Sequence, residues 1–528
     1  MSKYPNLPGI EVQVADGGLI LPEDAASQSM LIIAPSTEVG APTEPVLIRQ
    51  HSDLVDFGFG DFLNSAGVVN PIVAAWKAAY DGGCRRIFVM ALEGNDTKSR
   101  FMYLYDKLFG ILADFQVDHV VAVGVYADEE ASNVTANDFA NPEDQAAFPN
   151  LPGVMRYGYV VETDVLNYNI AITATTADTI IINKGGTQHT ITLTAKVYDG
   201  MPGKTLEDLA NDINAEFEGT AELKNFKAIV RSGKIAIIGD AAFTITGGTA
   251  LTALRLASGS AAVKRAEDEG TIYAGNFAKL LGDYAETQTK NHNSTIAYIG
   301  VAAPTGNTLT EVKAKVDALV QLYNEYSPYV SVVAGPELGY RIPGKNDLYY
   351  TNGVVTYAAL VSILRPESAP TNKPVYGVAG MHYVLSLRQL NMLTGNKFVT
   401  FRLKNNQVVV TDGITTAPDL VISGQRKSSD FIRLSTLRIT QAAIELIREV
   451  CEPFLGEPNR MPQYNALNAT IKGALEGMKS SGAIMDYRFT VVARGASLNE
   501  AVVTLEIVPT FELRKISVDV ALRPQLEQ

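Results

Sequence analysis

Few residues in this chain have the type and spacing that chemistry requires. Pro202-Gly203-Lys204-Thr205 has the ending of a phosphate-cradling loop, but that loop needs a glycine five positions before Gly203, and Tyr198 stands there. The tetrapeptide runs straight into TLEDLANDI, so Thr205 reads instead as the N-cap of a helix. Gly58-Phe59-Gly60 is a lone glycine pair without the strand-to-helix setting of a dinucleotide site. The five histidines (His51, His119, His189, His292 and His382) are dispersed, and none has a second histidine or a carboxylate placed to build a metal site on one helix face. Neither HExxH nor GxSxG occurs, and no stretch points to a Ser-His-Asp constellation. Asp128-Glu129-Glu130 reads as a solvated loop. Cys84 and Cys451, far apart in the chain, read as two small buried hydrophobes rather than a disulfide or a metal pair. The expectation is a protein that is not an enzyme and has no cofactor and no metal.

Composition narrows the class further. The 528 residues suffice for two to four domains, and 46% hydrophobic with 19% charged residues suits a folded chain. A net charge of −13 disfavours non-specific nucleic-acid binding. MSKYPNLPG lacks the apolar core of a signal peptide, and no apolar run approaches the ~20 residues of a membrane span. The expectation is a protein made in the cytoplasm, with no membrane insertion and no direct nucleic-acid contact.

The elements that would position any site alternate between strand and helix. MLIIA (30–34), RIFVMAL (86–92) and HVVAVGVYA (119–127) read as buried strands. NPIVAAWKAAYDGG (70–83) and FMYLYDKLFGILADF (101–115) read as helices. The rhythm resumes with STIAYIGVAA (294–303), a helix over 310–326 and YVSVVAG (329–335). Together they predict an α/β layer with a mostly parallel sheet, discontinuous over 30–164 and 263–375. Between its halves, residues 165–262 turn Thr- and Ile-rich with one helix at 205–217, which reads as an inserted β-rich surface domain. Part of it, TLEDLANDINAEFEGTAELKN…GKIAIIG, weakly resembles the small modules of flagellar hook-associated proteins. From 376 the chain reads as α+β: a long helix over 429–454 with Ser429 as cap, a second from Tyr464 to Ser480, and strands at 484–492, 501–508 and 514–522.

Both ends carry strands without a local partner. In PGIEVQVADGG (8–18), Ile10, Val12 and Val14 share one face of an extended chain; in RKISVDVAL, Ile516, Val518, Val520 and Leu522 do the same. An isolated strand cannot satisfy its own backbone N–H and C=O groups.

The C-terminal third carries a family resemblance. EPFLGEPNRMPQYNALNATIKGALEGMKSSGAIMDYRFTVV (452–492) resembles the closing region of contractile-tail sheath proteins of bacteriophages and related injection systems. The shared order is a long helix, the tripeptide Glu457-Pro458-Asn459, a second helix ending at Gly482, and a hairpin of strands. YAALVSILRPESAPTNKPV (357–375), LRQLNMLTGNKFVTFRLKNNQVVVTDGITT (387–416) and the opening PGIEVQV resemble further segments of that family. VVTDGITT departs from it, standing where many members carry a Trp and an Arg-Thr pair.

The resemblance implies a sheath-type α/β core with an inserted β-rich domain, an α+β C-terminal domain (376–528) and extended terminal arms (1–29 at the N-terminus). It implies a homo-oligomer of six-fold rings around a tail tube protein, with baseplate and tail terminator proteins at its ends, located in a virion. Strands Pro8–Ala15 and Arg514–Leu522 would be donated to neighbouring copies, at the edge formed by 484–492 and 501–508. Residues 16–29, with Gly17, Gly18 and Pro22, would be the hinge, spanning up to ~45 Å when extended. Residues 430–528 carry 11 Lys and Arg against 12 Asp and Glu, whereas the remainder carries 33 against 45. If the C-terminal domain lies innermost, Arg433, Arg438, Arg448, Lys472 and Lys479 are candidates to face the tube. Salt bridges among these and with Glu445 and Glu476 are the competing reading. An alternative for the whole chain is a surface adhesin or flagellar-type filament protein, suggested by the Thr-rich segment alone.

Overall fold

The computed structural model of the chain describes residues 28–514 apart from 126–131, 134–135, 148–158, 165, 167–169, 200–203, 232–233, 265–270, 273, 292, 302–307, 309, 315, 317–326, 423–424, 457–460 and 495–499. Both predicted arm strands, the hinge residues Gly17, Gly18 and Pro22, Asp128-Glu129-Glu130, Glu457-Pro458-Asn459 and most of the helix expected at 310–326 lie outside the described residues.

A seven-stranded sheet organises the first body of the chain. Its strands are β1 (Met30–Ala34), β2 (Val46–Ile48), β3 (Ile87–Ala91), β4 (His119–Ala122), β5 (Ile296–Gly300), β6 (Val330–Val333) and β7 (Phe398–Val399), in the spatial order β2-β3-β1-β4-β5-β6-β7. All neighbours run parallel except the edge pair β2 and β3. The continuous apolar runs follow from burial on both faces. In β1, Met30, Ile32 and Ala34 enter one core while Leu31 and Ile33 enter the other. Helices α1 (Pro71–Asp81) and α4 (Val354–Ile363) cover the first face; α2 (Thr97–Phe109) and α3 (Ala274–Lys290) cover the second. Helix α4 is buried at nine of its ten positions, which is why its sequence shows no polar stripe.

The sheet takes its last strand from Phe398–Val399, so the α/β body runs past the expected boundary at 375. Helix α2 begins four residues earlier than expected because Asp96 and Ser99 form a capping box, and it ends at Gly110 rather than continuing to 115.

Between β4 and β5 the chain builds sheets of its own. The strand Tyr159–Glu162 pairs with Val263–Lys264, so this segment leaves and rejoins the α/β body on adjacent strands and extends beyond 165–262 on both sides. A second antiparallel sheet contains the hairpin Thr179–Lys184 and Thr187–Thr192, closed by Gly185 and Gly186 at φ of 60° and 89°. Leu209, Ile213 and Phe217 of the helix Leu206–Gly219 pack with Ile180, Ile182, Ile237 and Ile245 into a separate core. Thr205 accepts from Asp208 N–H while the Asp208 carboxylate accepts from Thr205 N–H; the residue caps a helix, as its sequence context indicated.

The C-terminal layer holds α5 (Leu434–Cys451), α6 (Met461–Ser480) and the strands β8 (Ile484–Arg494) and β9 (Glu500–Pro509). The helix expected over 429–454 is α5 flanked by single 3₁₀ turns; Ser429 caps the first of these by accepting from Phe431 N–H. Ile439, Leu467, Ile471, Leu475 and Ile484 form the small core of this layer.

Candidate functional site

Strands β8 and β9 form a long antiparallel hairpin, paired from Ile484 and Pro509 to Arg494 and Glu500 with one irregularity at Ile484/Asp486. Alternation assigns the faces. Tyr487, Phe489 and Val491 of β8 and Val503, Leu505 and Ile507 of β9 lie half-buried against the α5–α6 core. Arg488 and Glu506 meet at 2.6 Å on the other, exposed face. Among the described residues the hairpin has no third strand, the arrangement in which a sheet edge can take up a further strand. Eleven residues of β8 extend roughly 36 Å, ample for a strand the length of Pro8–Ala15. A lone two-stranded sheet is marginal in water, and this one has only a half-covered inner face.

The residues that border the two expected arms, their roots, are described even though those segments are not. At the N-terminal root, Gln28 N–H donates to Ser362 O (3.1 Å), and Ser29 N–H and Oγ–H both donate to Asp118 Oδ2 (2.7 Å each). Gln28 Oε1 lies 2.9 Å from His119 Nε2 and 3.1 Å from Arg438 Nη2. His119 Nδ1 lies 3.0 Å from the Tyr298 hydroxyl. With Arg438 donating to Gln28 Oε1, the consistent tautomer has His119 donating from Nε2 and accepting from Tyr298 at Nδ1. Burial, reinforced by the Arg438 charge, pushes His119 down to about 3, so the ring is neutral at physiological pH.

At the C-terminal root, the chain leaves β9 with Phe511 and Leu513 exposed, Glu512 turned inward, and the exposed Arg514 reaching back to Asp412. Asp412, 3% exposed at its side chain, accepts both oxygens' bonds from Arg433 Nη1 (2.9 Å each) and a further bond from Arg514. Thr371 Oγ1 donates to Glu512 Oε2 (2.9 Å) and lies 3.1 Å from Asp412 Oδ1. Burial pushes the Glu512 carboxyl above its ordinary value, against the pull of Thr371 and the two arginines.

These contacts correct part of the proposed tube-facing set. Arg438 is 4% exposed, with its guanidinium on Leu364 O, Arg365 O and Gln28; it cannot face a tube. Arg433 is committed to Asp412. Arg448 is half-buried, while Lys472 and Lys479 are exposed and Lys479 pairs with Asp486 at 2.9 Å. Sequence reasoning missed Gln28, Asp412 and Asn352; Arg514, expected to open a donated strand, bonds Asp412 of its own chain. The buried Asn352 amide donates to Val301 O, just beyond β5, and to Val333 O, at the end of β6, and its Oδ1 accepts from Val354 N–H at the start of α4. At the carboxyl ends of the parallel strands, where an α/β enzyme would hold substrate, polar side chains tie loops together: Asn70 donates to Phe59 O, and Arg100 to Gly94 O and Gly124 O.

No protein-family profile and no curated protein matches the sequence. Among solved structures, the chain resembles one from the anti-feeding prophage baseplate, six-fold symmetrised, at 12% identity and TM-score 0.50, covering 98% of this chain and 99% of that one. It also resembles the anti-feeding prophage helical sheath in the contracted state (11%, TM-score 0.49, 98% and 99%). A third is the sheath complex of the extracellular contractile injection system PVC in the contracted state (11%, TM-score 0.47, 97% and 98%). At these identities the likeness is one of fold: over nearly its whole length the chain shares the fold of a chain from the anti-feeding prophage baseplate particle.

Proposed function

We propose that this chain is the subunit of a contractile tail sheath, a structural protein that polymerises around a tail tube and drives it through a target envelope by changing its packing. The observation that carries the reading is the β8–β9 hairpin: among the described residues a two-stranded sheet, half-covered on its inner face, in a chain whose two ends carry alternating strand-like sequences without a local partner in the sequence. Strand addition matches donor to acceptor, with main-chain hydrogen bonds giving affinity and alternate side chains giving fit. The end-to-end likeness of fold to a baseplate-particle component supports the same reading.

The mechanics follow from the parts. The α/β body, with cores on both faces of its sheet, moves as a rigid unit, while each arm ties it to a neighbour. Six-fold rings of such units can rotate and slide without dissociating. The energy of contraction resides in the difference between two packings of one lattice, held back by a kinetic barrier, with no nucleotide consumed. Tube, baseplate and terminator are the partners, and the virion is the location.

Deletion of residues 1–16 tests this. The truncated chain should stay folded and soluble but fail to form long tubes. Polymers of ordinary length from the truncated chain would rule out donation by this arm.

A further inference from the structure

Two arginines at the start of α5 are committed to opposite ends of the chain. Arg438 is a buried cation whose hydrogen-bond acceptors are all neutral. Burying a charge in this way is costly, and the site offsets the cost with the negative end of a helix. Leu364 is the C-cap of α4 and Arg365 follows it, so the guanidinium takes up the carbonyl at the helix's carboxyl end and the next one beyond it. Gln28 uses the same helix end, donating its N–H to Ser362 O while its side chain accepts from Arg438. The root of the N-terminal arm is thus held between the carboxyl end of a fully buried helix and the first turns of α5.

Five residues earlier, Arg433 is the N-cap position of α5 and grips Asp412, which in turn holds Arg514 at the root of the C-terminal arm. At 1.5 Å per residue the two arginines are separated by only about 8 Å along the helix axis. Hydrophobic replacement of such groups is often neutral for stability alone, which leaves the position of the arms as what this pair of costly sites defines.

We propose that the first turns of α5 are a junction coupling the two terminal arms: Arg438 fixes the N-terminal root through Gln28, Arg433 fixes the C-terminal root through Asp412, and a pull on either arm is delivered to the same helix. This rests on the sheath reading above. Arg433 and Arg438 are positioning residues; they act through Gln28, Asp412 and Arg514. In a polymer, such a junction passes the displacement of one protomer to the next, so contraction runs to completion once started.

The test uses full-length chains carrying Gln28→Leu, Arg514→Met or both, assembled on tubes, triggered with heat or mild denaturant, and imaged. Gln28 and Arg514 share no partner, so in the dissociated protomer their effects on unfolding should add. In the polymer each single variant should turn all-or-none contraction into a population of partly contracted tubes, and the double should be no worse than the larger single, because either break interrupts the same path. Gln28→Glu, which keeps an acceptor facing Arg438, should restore complete contraction. Complete contraction in both single variants, or additive effects in the polymer, overturns the junction. Absence of tubular polymers from the unmodified chain overturns the sheath reading and the junction with it.

Discussion

The buried His119 gives the α/β body a pH dependence whose size can be worked out in advance. Its ring accepts from Tyr298 and donates to Gln28; its full burial, with the Arg438 charge beside it, holds it at about 3 against an ordinary value of 6.5. The unfolded chain therefore binds a proton at this site over a range where the folded chain does not. Stability rises with pH through that window: the contribution is fully present above 6.5 and is lost as pH falls from 6.5 towards 3. Integrating one proton from pH 7 to pH 5 gives a loss of about 2 kcal/mol, a figure insensitive to the folded value while that value stays well below 5. Trp76, the single tryptophan, is 3% exposed in the core that packs on the same sheet, so its fluorescence during urea unfolding reports this body. The comparison is with His119→Gln, which removes the titrating group while other histidines and carboxylates cancel. The unmodified chain should lose about 2 kcal/mol more than the variant between pH 7 and pH 5. Equal pH dependence in the two proteins would refute the placement of a neutral, buried His119 between Tyr298 and Gln28.

Three further outcomes follow from the packing. Leu475→Ala, in the five-residue core beneath the hairpin, should cost about 2–5 kcal/mol, and amide exchange across 484–509 should accelerate well before exchange in β1–β6 does. Thr205→Ala should cost about 1 kcal/mol and loosen the first turn of the helix Leu206–Gly219 in amide exchange, leaving the α/β body unchanged. Lys472→Glu with Lys479→Glu should leave unfolding nearly unaltered, since both side chains are exposed, yet weaken assembly on purified tubes; undiminished assembly would remove these two lysines from the tube-facing surface.

The sheet was legible because burial on both faces writes itself into the sequence as uninterrupted runs such as MLIIA and HVVA, and α1 because Pro71 and Gly82 mark its ends. The hairpin showed in the strict alternation of YRFTVV and VVTLEIV. What failed to show is set by contacts distant in sequence. Arg438 looks like one more basic residue on a charged helix; its acceptor on Gln28 is 410 positions away, and nothing local distinguishes it from Lys472. Arg433 looks equally exposed until Asp412, 21 positions back, is placed against it. Asp412 lies in VVTDGITT, where it holds Arg433 and Arg514 together. The α/β body's extension past 375 leaves no sign in the sequence because β7 is only two residues long, too short to carry a period. Apolar spacing continues past Gly110 to 115, yet the backbone at Gly110, with φ −99° and ψ −107°, ends the helix there.

Electron microscopy of the purified full-length chain, alone and with tail tubes, tests the central claim most directly. Striated tubular polymers or six-fold rings are the predicted result. A chain that remains in discrete small oligomers under both conditions would contradict the account.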